Sequence, residues 1–184
     1  MATVDLTQSK SVWSLQIKLL RILWVLFGIA FYLPKQFSPV RIFLLRLFGA
    51  KIGKACLVCA DVKVWMPWNL VIGDYVAIGK GVEIYNFGKV SIGNQSLISQ
   101  RSYLCTASHD YTHPHYPLIW KDIVIGSQCW VAAEVFISPG VKIGDGSVIG
   151  ARSVVTKNIP AWQVCAGNPC VIIKQRIIGN THEY

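Results

Sequence analysis

The stretch IGSQCWVAAEVFISPGVKIGDGSVIGARSVV, from Ile125 to Val155, has an Ile or a Val at every sixth position. Five groups of three aliphatic residues share this spacing, and all fifteen are Ile, Val or Leu. The groups are Ile52, Val58 and Val64; Ile72, Ile78 and Ile84; Ile92, Ile98 and Leu104; Ile125, Val131 and Ile137; and Ile143, Ile149 and Val155. Helices repeat every 3.6 residues and half-buried strands every two, so neither explains this period. A parallel β-helix does, because each hexad forms one side of a coil and turns one aliphatic side chain inward.

Two further positions of the hexad agree with a β-helix. Four places after the aliphatic residue, Cys, Val or Ser occurs in twelve of fifteen hexads, with Cys56 and Cys129 among them. One place after it, seven of fifteen residues are glycine, which tolerates corner geometry that other residues resist. A small inward side chain would fill the core near each bend. The sequence therefore predicts an all-β solenoid of about five coils over residues 50–178, followed by a short tail, residues 179–184.

Extra residues between the groups fall at one corner of this solenoid. Successive groups begin 20, 20, 33 and 18 residues apart, whereas three hexads need 18. The longest interval contains a fifteen-residue insertion, residues 110–124, with His109 at its base. We expect the insertion to project as an external loop, and functional residues commonly lie on loops that a rigid scaffold holds.

Three of the four histidines in the chain, His109, His113 and His115, lie at or inside this insertion. The ordinary pKa of imidazole is close to neutral, so a histidine can accept a proton during catalysis, and it is also a common zinc ligand. His113 and His115 flank Pro114, which favours a turn that meets solvent or a substrate. The residues alone do not distinguish between three alternatives for this insertion: a catalytic loop, a metal site, and a surface turn without a function.

The positive charge is concentrated in the N-terminal third. Residues 1–54 contain eight Lys or Arg against one acidic residue, whereas the other 130 residues contain ten basic and eight acidic ones. A nucleic-acid-binding surface would need basic residues across the main domain, which is nearly neutral. The distribution therefore argues against nucleic acid as a partner.

The N-terminal third is also apolar, in a chain that is 53% hydrophobic overall. Leu19 to Leu33 is a fifteen-residue run with one arginine, and a bilayer-spanning helix needs about 20 residues. We predict that residues 1–49 form a helical segment at the membrane interface, with basic side chains on anionic lipid. These side chains are Lys18, Arg21, Arg41 and Arg46. A helical cap on the main domain, packing between subunits, and a true membrane span are the alternatives.

Several longer motifs resemble a known family. The hexads, the external histidine loop, ISPGVKIGDGSVIGARSVVTK and AGNPC resemble the left-handed parallel β-helix, or hexapeptide-repeat, acyltransferases over residues 50–178. LLRLFGAKIGK, ISQRSYLCTASHDY and CWVA are similar to the acetyltransferases of colanic acid and related exopolysaccharide biosynthesis. The resemblance implies a left-handed coil, a homotrimer with active sites between neighbouring chains, and acetyl-CoA as acyl donor without a metal. It also implies a sugar or lipid-linked oligosaccharide acceptor, and a cytoplasmic enzyme on the inner face of the membrane.

The resemblance also implies roles for individual residues. His109 would be the general base that takes the proton of a sugar hydroxyl, and Asn86 and Trp130 would contact the acceptor, with the pantetheine arm as a second partner for Trp130. Small residues along one prism edge would accommodate pantetheine: Ala132, Ala133 and Ala151. The ADP end would meet Thr156, Lys157 and Lys174, with Arg152 and Arg176 as further candidates. Packing or turn capping is the alternative for Asn86, and burial between subunits is the alternative for Trp130.

Other functions are compatible with a β-helix. A metal-dependent hydratase like the gamma-type carbonic anhydrases uses the same scaffold with histidine ligands, although that family draws them from separate coils. A β-helix that only binds or scaffolds is the third alternative. Within the acetyltransferase interpretation, N-acetylation of an amino sugar would need less help from a base. The six cysteines indicate neither disulfides nor a zinc site, in agreement with a reducing cytoplasm.

Overall fold

The computed structural model describes residues 4–5, 7 and 13–179 and consists of short strands preceded by two helices. Helix α1 is Leu15–Leu26 and helix α2 is Ser38–Leu47, with 3-10 turns at Phe27–Tyr32, Lys35–Phe37 and Pro67–Asn69. The strands are β1 (Lys51–Ile52), β2 (Leu57–Val58), β3 (Lys63–Val64), β4 (Leu70–Ile72), β5 (Ala77–Ile78), β6 (Glu83–Tyr85), β7 (Val90–Ile92), β8 (Leu97–Ile98), β9 (Tyr103–Cys105), β10 (Ala107–His109), β11 (Leu118–Trp120), β12 (Ile123–Ile125), β13 (Trp130–Val131), β14 (Phe136–Ile137), β15 (Lys142–Ile143), β16 (Val148–Ile149), β17 (Val154–Val155), β18 (Gln163–Ala166) and β19 (Val171–Gln175).

These strands form three parallel sheets, which are the faces of a prism. Face A contains β1, β4, β7, β12 and β15; face B contains β2, β5, β8, β13, β16 and β18; face C contains β3, β6, β9, β14 and β17. Each hexad contributes one strand to one face, and the same position of the next coil pairs with it, as Ile72 does with Ile92. The parallel β-helix predicted from the period of six is confirmed.

The inward positions of the hexads form the core. The aliphatic side chains stack from coil to coil, and those of Ile98, Leu104 and Ile149 are fully buried. Buried serines at the small position are satisfied by the backbone of the next coil: the Ser96 hydroxyl donates to the Gly126 carbonyl at 2.8 Å, and the Ser102 hydroxyl to Ala132 at 2.9 Å. A hydroxyl is tolerated there because it bonds a carbonyl that the corner leaves available.

The solenoid is about one coil longer than the sequence predicts. After the fifth group, Ile159 forms a parallel bridge with Ile143, and β18 extends face B with Cys165 opposite Ile149. Ile159 follows Ile143 by sixteen residues instead of eighteen, so the last partial coil is out of step with the repeat. Strand β19 then returns antiparallel along β18.

The projecting insertion is a β-hairpin with limits different from those predicted. Strands β10 and β11 pair antiparallel, with Ala107 opposite Trp120 and His109 opposite Leu118. The hairpin therefore begins before residue 110, and Ile123 and Val124 already belong to face A through β12. The predicted range 110–124 was wrong at both ends, because the hexad count shows only where the aliphatic ladder resumes. His109 lies at the end of a hairpin arm, not at its base.

The two helices cap the open end of the first coil and bond all three of its strands. The Trp24 indole donates to the Val64 carbonyl of β3 at 2.6 Å. The Ser38 hydroxyl accepts from the Val58 amide of β2 at 2.9 Å, and the Arg46 guanidinium donates to the Ile52 carbonyl of β1 at 2.8 Å. The helical-cap alternative is confirmed. Within residues 4–5, 7 and 13–179, no helix is long and apolar enough to cross a bilayer.

Arg41 corrects one part of the membrane-interface prediction. Its side chain is 0% exposed, and its guanidinium donates to the Val58 and Leu33 carbonyls, each at 2.9 Å. Arg41 is therefore a strut between the helical cap and the first coil, and it does not meet lipid. Its helical position suggested a surface cation because nothing in the sequence shows the carbonyls that it meets.

Replacing Arg41 by Met should lower the free energy of unfolding by about 3 kcal/mol, because the change leaves buried carbonyls without donors. Urea unfolding followed by circular dichroism measures the difference. Lys18→Met on α1, where the side chain is exposed, is the matched control and should change stability by less than about 0.5 kcal/mol. Equal effects of the two substitutions would contradict the strut role of Arg41.

Candidate active site

Face C carries a ladder of outward aromatic side chains below the hairpin. Tyr103 and Phe136 occupy equivalent positions on successive coils, and Tyr85 lies on the coil before them. The Tyr103 ring lies 5.5 Å from the Phe136 ring and 6.2 Å from the Tyr85 ring, between centroids. Desolvation within this ladder raises the pKa of Tyr103 above its ordinary value. The ladder forms a rigid, largely apolar wall from which the hairpin leaves.

His109 is exposed at the end of the β10 arm, and the opposite arm orients it. Its Nδ1 lies 2.6 Å from the carbonyl oxygen of Tyr116. A carbonyl only accepts hydrogen bonds, so Nδ1 carries the hydrogen in the neutral ring, and Nε2 presents a lone pair. The sequence did not identify this orienting group. Tyr116 is a partner of the candidate base that the sequence did not predict, and its position between His115 and Pro117 was the only signal.

The backbone at the hairpin end holds the Tyr116 carbonyl in place. Tyr116 adopts a φ of 43°, in the left-handed region, and the Asp110 amide donates to the Pro117 carbonyl at 3.0 Å. The Asp110 carboxylate accepts from the Thr112 hydroxyl and amide, and these hydrogen bonds lower the pKa of Asp110. Asp110 is thus engaged with Thr112, and the carbonyl of Tyr116 is the partner of His109.

His113 and His115 lie at the hairpin tip. The two rings are 5.2 Å apart, and the His115 amide donates to Nδ1 of His113 at 3.2 Å. Nδ1 of His115 lies 2.6 Å from the carbonyl oxygen of Asp5, so the N-terminal segment touches the tip. In the described part of the chain, no three His, Cys, Asp or Glu side chains are arranged to hold a metal ion. The metal-site alternative therefore gains no support from the histidine loop.

The residues predicted to bind acetyl-CoA lie mainly at the two edges of face C. Ala132 and Ala133 follow β13, and Ala151 follows β16, at the edge between faces B and C; the Arg152 amide donates to the Ala133 carbonyl at 2.9 Å. Thr156 and Lys157 follow β17 at the edge between faces C and A, and both are exposed. Lys174 is exposed in β19, beside face B. Within one chain these residues do not share one edge.

The two further cationic candidates already have protein partners. Arg152 donates from Nε to Glu134 at 2.7 Å, and Glu134 also forms an ion pair with Arg101. The hydrogen bond from Arg152 is the largest cause of the lowered pKa of Glu134. Arg176 donates to the carbonyls of Gln128 and Gly146, each at 2.8 Å. Arg176 therefore joins the C-terminal strand to face B, and we do not retain it as a residue that binds acetyl-CoA.

Asn86 does not have the exposure that an acceptor ligand needs. It is 0% exposed; its Oδ1 accepts from the Met66 amide at 2.9 Å, and its Nδ2 donates to the Met66 carbonyl at 2.6 Å. These contacts favour the packing alternative, and the acceptor role of Asn86 stays a prediction. A buried amide that pairs with the neighbouring coil cannot be told from an exposed one by its place in the repeat.

Trp130 is 46% exposed on face B, and its indole nitrogen donates to the Ser99 hydroxyl at 3.0 Å. It pairs with Leu97 and Val148, whereas the hairpin of His109 leaves from face C. The structure puts Trp130 and His109 on different faces, so one chain alone does not bring them together.

Comparison with known proteins agrees with this architecture. The family model "Bacterial transferase hexapeptide (six repeats)" matches residues 122–157. WcaF of Escherichia coli K12, provisionally named a colanic acid biosynthesis acetyltransferase, is 51% identical over 144 residues, which are 78% of this chain and 79% of WcaF. A maltose O-acetyltransferase from Clostridium difficile 630 superimposes with a TM-score of 0.82 at 26% identity, covering 90% of both chains.

A structure solved with acetyl-CoA is also similar. The hexapeptide-repeat acetyltransferase VCA0836 of Vibrio cholerae, in complex with acetyl-CoA, superimposes with a TM-score of 0.80 at 27% identity, covering 90% of this chain and 91% of that one. The chain belongs to the hexapeptide-repeat acetyltransferases, which have the left-handed β-helix fold. Among them it is similar to WcaF over more than three quarters of each sequence.

Proposed function

We propose that this protein transfers an acetyl group from acetyl-CoA to a sugar hydroxyl of an exopolysaccharide precursor of the colanic acid type. The observation that carries the proposal is the bond between Nδ1 of His109 and the Tyr116 carbonyl. It leaves Nε2 as a basic nitrogen on an exposed arm beside the aromatic wall of face C. The similarity to WcaF supports the class of acceptor, and the acetyl-CoA complex of VCA0836 supports the donor.

In this mechanism, Nε2 of His109 takes the proton of the acceptor hydroxyl as the oxygen attacks the thioester carbonyl. The resulting tetrahedral oxyanion collapses and breaks the carbon–sulfur bond. The imidazolium then returns its proton to the departing thiolate, which leaves as the thiol of CoA. The Tyr116 carbonyl favours this route because it accepts a hydrogen bond from the Nδ1–H of the charged ring as well as of the neutral one.

The separation of Trp130 from His109 within one chain is the reason to propose a homotrimer. A neighbouring chain that packs its face B near this face C would bring Trp130 to the acceptor or to the pantetheine arm. Ala132, Ala133 and Ala151 would then line a narrow edge for pantetheine, and Thr156, Lys157 and Lys174 would meet the ADP end. Light scattering on the purified protein measures whether the assembly contains three chains.

Substituting His109 by Ala should lower kcat by about 10²- to 10⁴-fold, because the acceptor hydroxyl loses its base. Release of the CoA thiol, followed with a thiol reagent and candidate sugars, measures the rate, and the acetyl-CoA affinity should be unchanged. His113→Ala, on the same hairpin, is the matched control and should lose less than tenfold. A binding-only β-helix predicts no transfer by the wild type, and N-acetylation predicts a much milder effect of His109→Ala.

Lys157→Ala and Lys174→Ala should each weaken binding of acetyl-CoA more than binding of dephospho-acetyl-CoA. Dephospho-acetyl-CoA lacks the 3′-phosphate, so removing a lysine that contacts this phosphate costs it no interaction. Calorimetric titration of both ligands gives the comparison. Lys142→Ala, an exposed lysine on face A, should affect neither. Equal weakening for the two ligands would show that neither lysine contacts the 3′-phosphate.

Peripheral attachment to the inner face of the membrane is part of the proposal. Most apolar side chains of helix α1 are exposed. Among them, Leu15, Leu19, Ile22 and Leu26 form an apolar stripe along one side of the helix, with exposed fractions between 53% and 72%. This i, i+4, i+7 pattern is typical of a helix that lies in the interface. Lys18 lies within the same helix and is exposed, where it would meet anionic headgroups.

The double substitution Ile22→Glu and Leu26→Glu should reduce recovery on anionic vesicles at least tenfold in a flotation assay, because it places two carboxylates in the apolar stripe. Ile172→Glu with Ile173→Glu, in the exposed strand β19, changes the charge equally at the opposite end of the prism. Recovery of both variants at the wild-type level would contradict membrane attachment through α1.

A further inference from the structure

A groove lies between helix α1 and the third side of the first coil. Its volume is about 530 Å³, within the roughly 300–1,000 Å³ of small-molecule sites. One wall consists of residues from α1 and the turn after it, and the other wall includes Val64 and Trp65 of the first coil. The lining is mostly apolar. No residue to which the acetyl-transfer mechanism assigns a role is part of it.

The α1 wall follows one face of the helix. Arg21, Trp24 and Val25 line the groove at the i, i+3 and i+4 spacing of a single helical face, and Gly28 of the turn Phe27–Tyr32 continues this wall. Gly28 widens the groove, because a Cβ at this position would have no heavy atom within 4 Å. Val25 is 69% exposed, so the groove is open to solvent along α1.

Arg21 supplies the unneutralised charge of the groove. The other charged side chains in the lining have partners: Asp61 pairs with Lys80 at 3.4 Å, and Lys63 with Glu83 at 3.9 Å. Among the residues that the structure describes, Arg21 is in no ion pair. Its guanidinium carbon stacks 3.8 Å from the Trp13 ring centroid and 5.1 Å from that of Trp65. A stacked guanidinium keeps its N–H edge for an anion.

We propose that this groove binds the hydrocarbon chain of a lipid-phosphate acceptor, with the phosphate against Arg21. An apolar chain and one anionic head match an apolar groove with one unpaired cation at its side. The inference rests on the proposed function, because it takes the acceptor sugar to be attached to that lipid. It assigns the lipid to a defined groove in the cap, separate from the apolar stripe of α1.

The position of the groove fits this role. Trp65, in its lining, packs edge-on against Tyr85 with centroids 4.7 Å apart, and Tyr85 continues to Tyr103 in the face C ladder. The groove and the hairpin of His109 are therefore joined by one aromatic wall. A lipid held at the cap would present its sugar along that wall toward the hairpin.

Dodecyl phosphate below its micelle concentration, titrated by calorimetry into the full-length protein, is the probe. Gly28→Leu should weaken its binding at least tenfold, because leucine occupies open groove space without displacing an existing contact. Gly179→Leu is the matched control, since a Cβ there also meets nothing within 4 Å. Equal affinity of Gly28→Leu and wild type would overturn the groove assignment.

Arg21→Gln should weaken dodecyl phosphate about tenfold and leave dodecanol unchanged, whereas Lys18→Gln removes the same charge from α1 and should change neither. Inorganic phosphate at the same concentration should not compete. Competition by inorganic phosphate alone, or equal loss in both variants, would overturn the role of Arg21. Melting temperatures of all variants confirm that each is folded.

The acetyl-CoA-induced rise in melting temperature of the wild type tests the proposed function separately. A rise with acetyl-CoA and no binding of dodecyl phosphate would overturn the groove alone. Binding of dodecyl phosphate without any response to acetyl-CoA would overturn the proposed function, and with it the acceptor role of the lipid.

Discussion

The pairing of equivalent positions on successive coils is the constraint on which the structure depends. Ile72 pairs with Ile92, Ile92 with Ile125 and Ile125 with Ile143, although the intervals between them are 20, 33 and 18 residues. A slip of one residue would turn each strand's aliphatic side chain to the outside. The core therefore fixes each coil and allows extra chain only at a corner. The hairpin is such an insertion, so it projects from the solenoid without disturbing the core.

The hairpin has its own means of holding its histidine. His109 is exposed and makes no use of the solenoid core; the opposite arm supplies the Tyr116 carbonyl at 2.6 Å. The backbone of Tyr116, at a φ of 43°, is set by the turn around Pro114 and Pro117. The solenoid provides the rigid wall from which the hairpin leaves, and the hairpin fixes which imidazole nitrogen of His109 carries the hydrogen. The position of the hairpin and the orientation of its histidine are thus determined by different parts of the chain.

The period of six was enough to predict the solenoid, the inward side chains and the corner of the insertion, because a ladder repeats the same contact in every coil. Contacts made only once were not predictable. The carbonyls around Arg41, the Met66 backbone that pairs with Asn86, and the Tyr116 carbonyl all belong to segments distant or irregular in sequence. The partial sixth coil was not predicted because Ile159 follows Ile143 by sixteen residues, two fewer than the repeat requires. The location of Trp130 and His109 on different faces could be seen only from the three-dimensional order of the sheets.

The helical cap has a consequence for solubility. At each end of a solenoid, the backbone N–H and C=O groups of the last coil have no neighbouring strand to pair with, and such edges recruit other strands. Here a side chain from the cap bonds each strand of the first coil: Arg46 at β1, Arg41 at β2 and Trp24 at β3. Strand β19, folded back antiparallel, covers β18 near the other end. The cap closes a site at which one prism could otherwise continue into the next, and so it opposes growth of the protein into filaments.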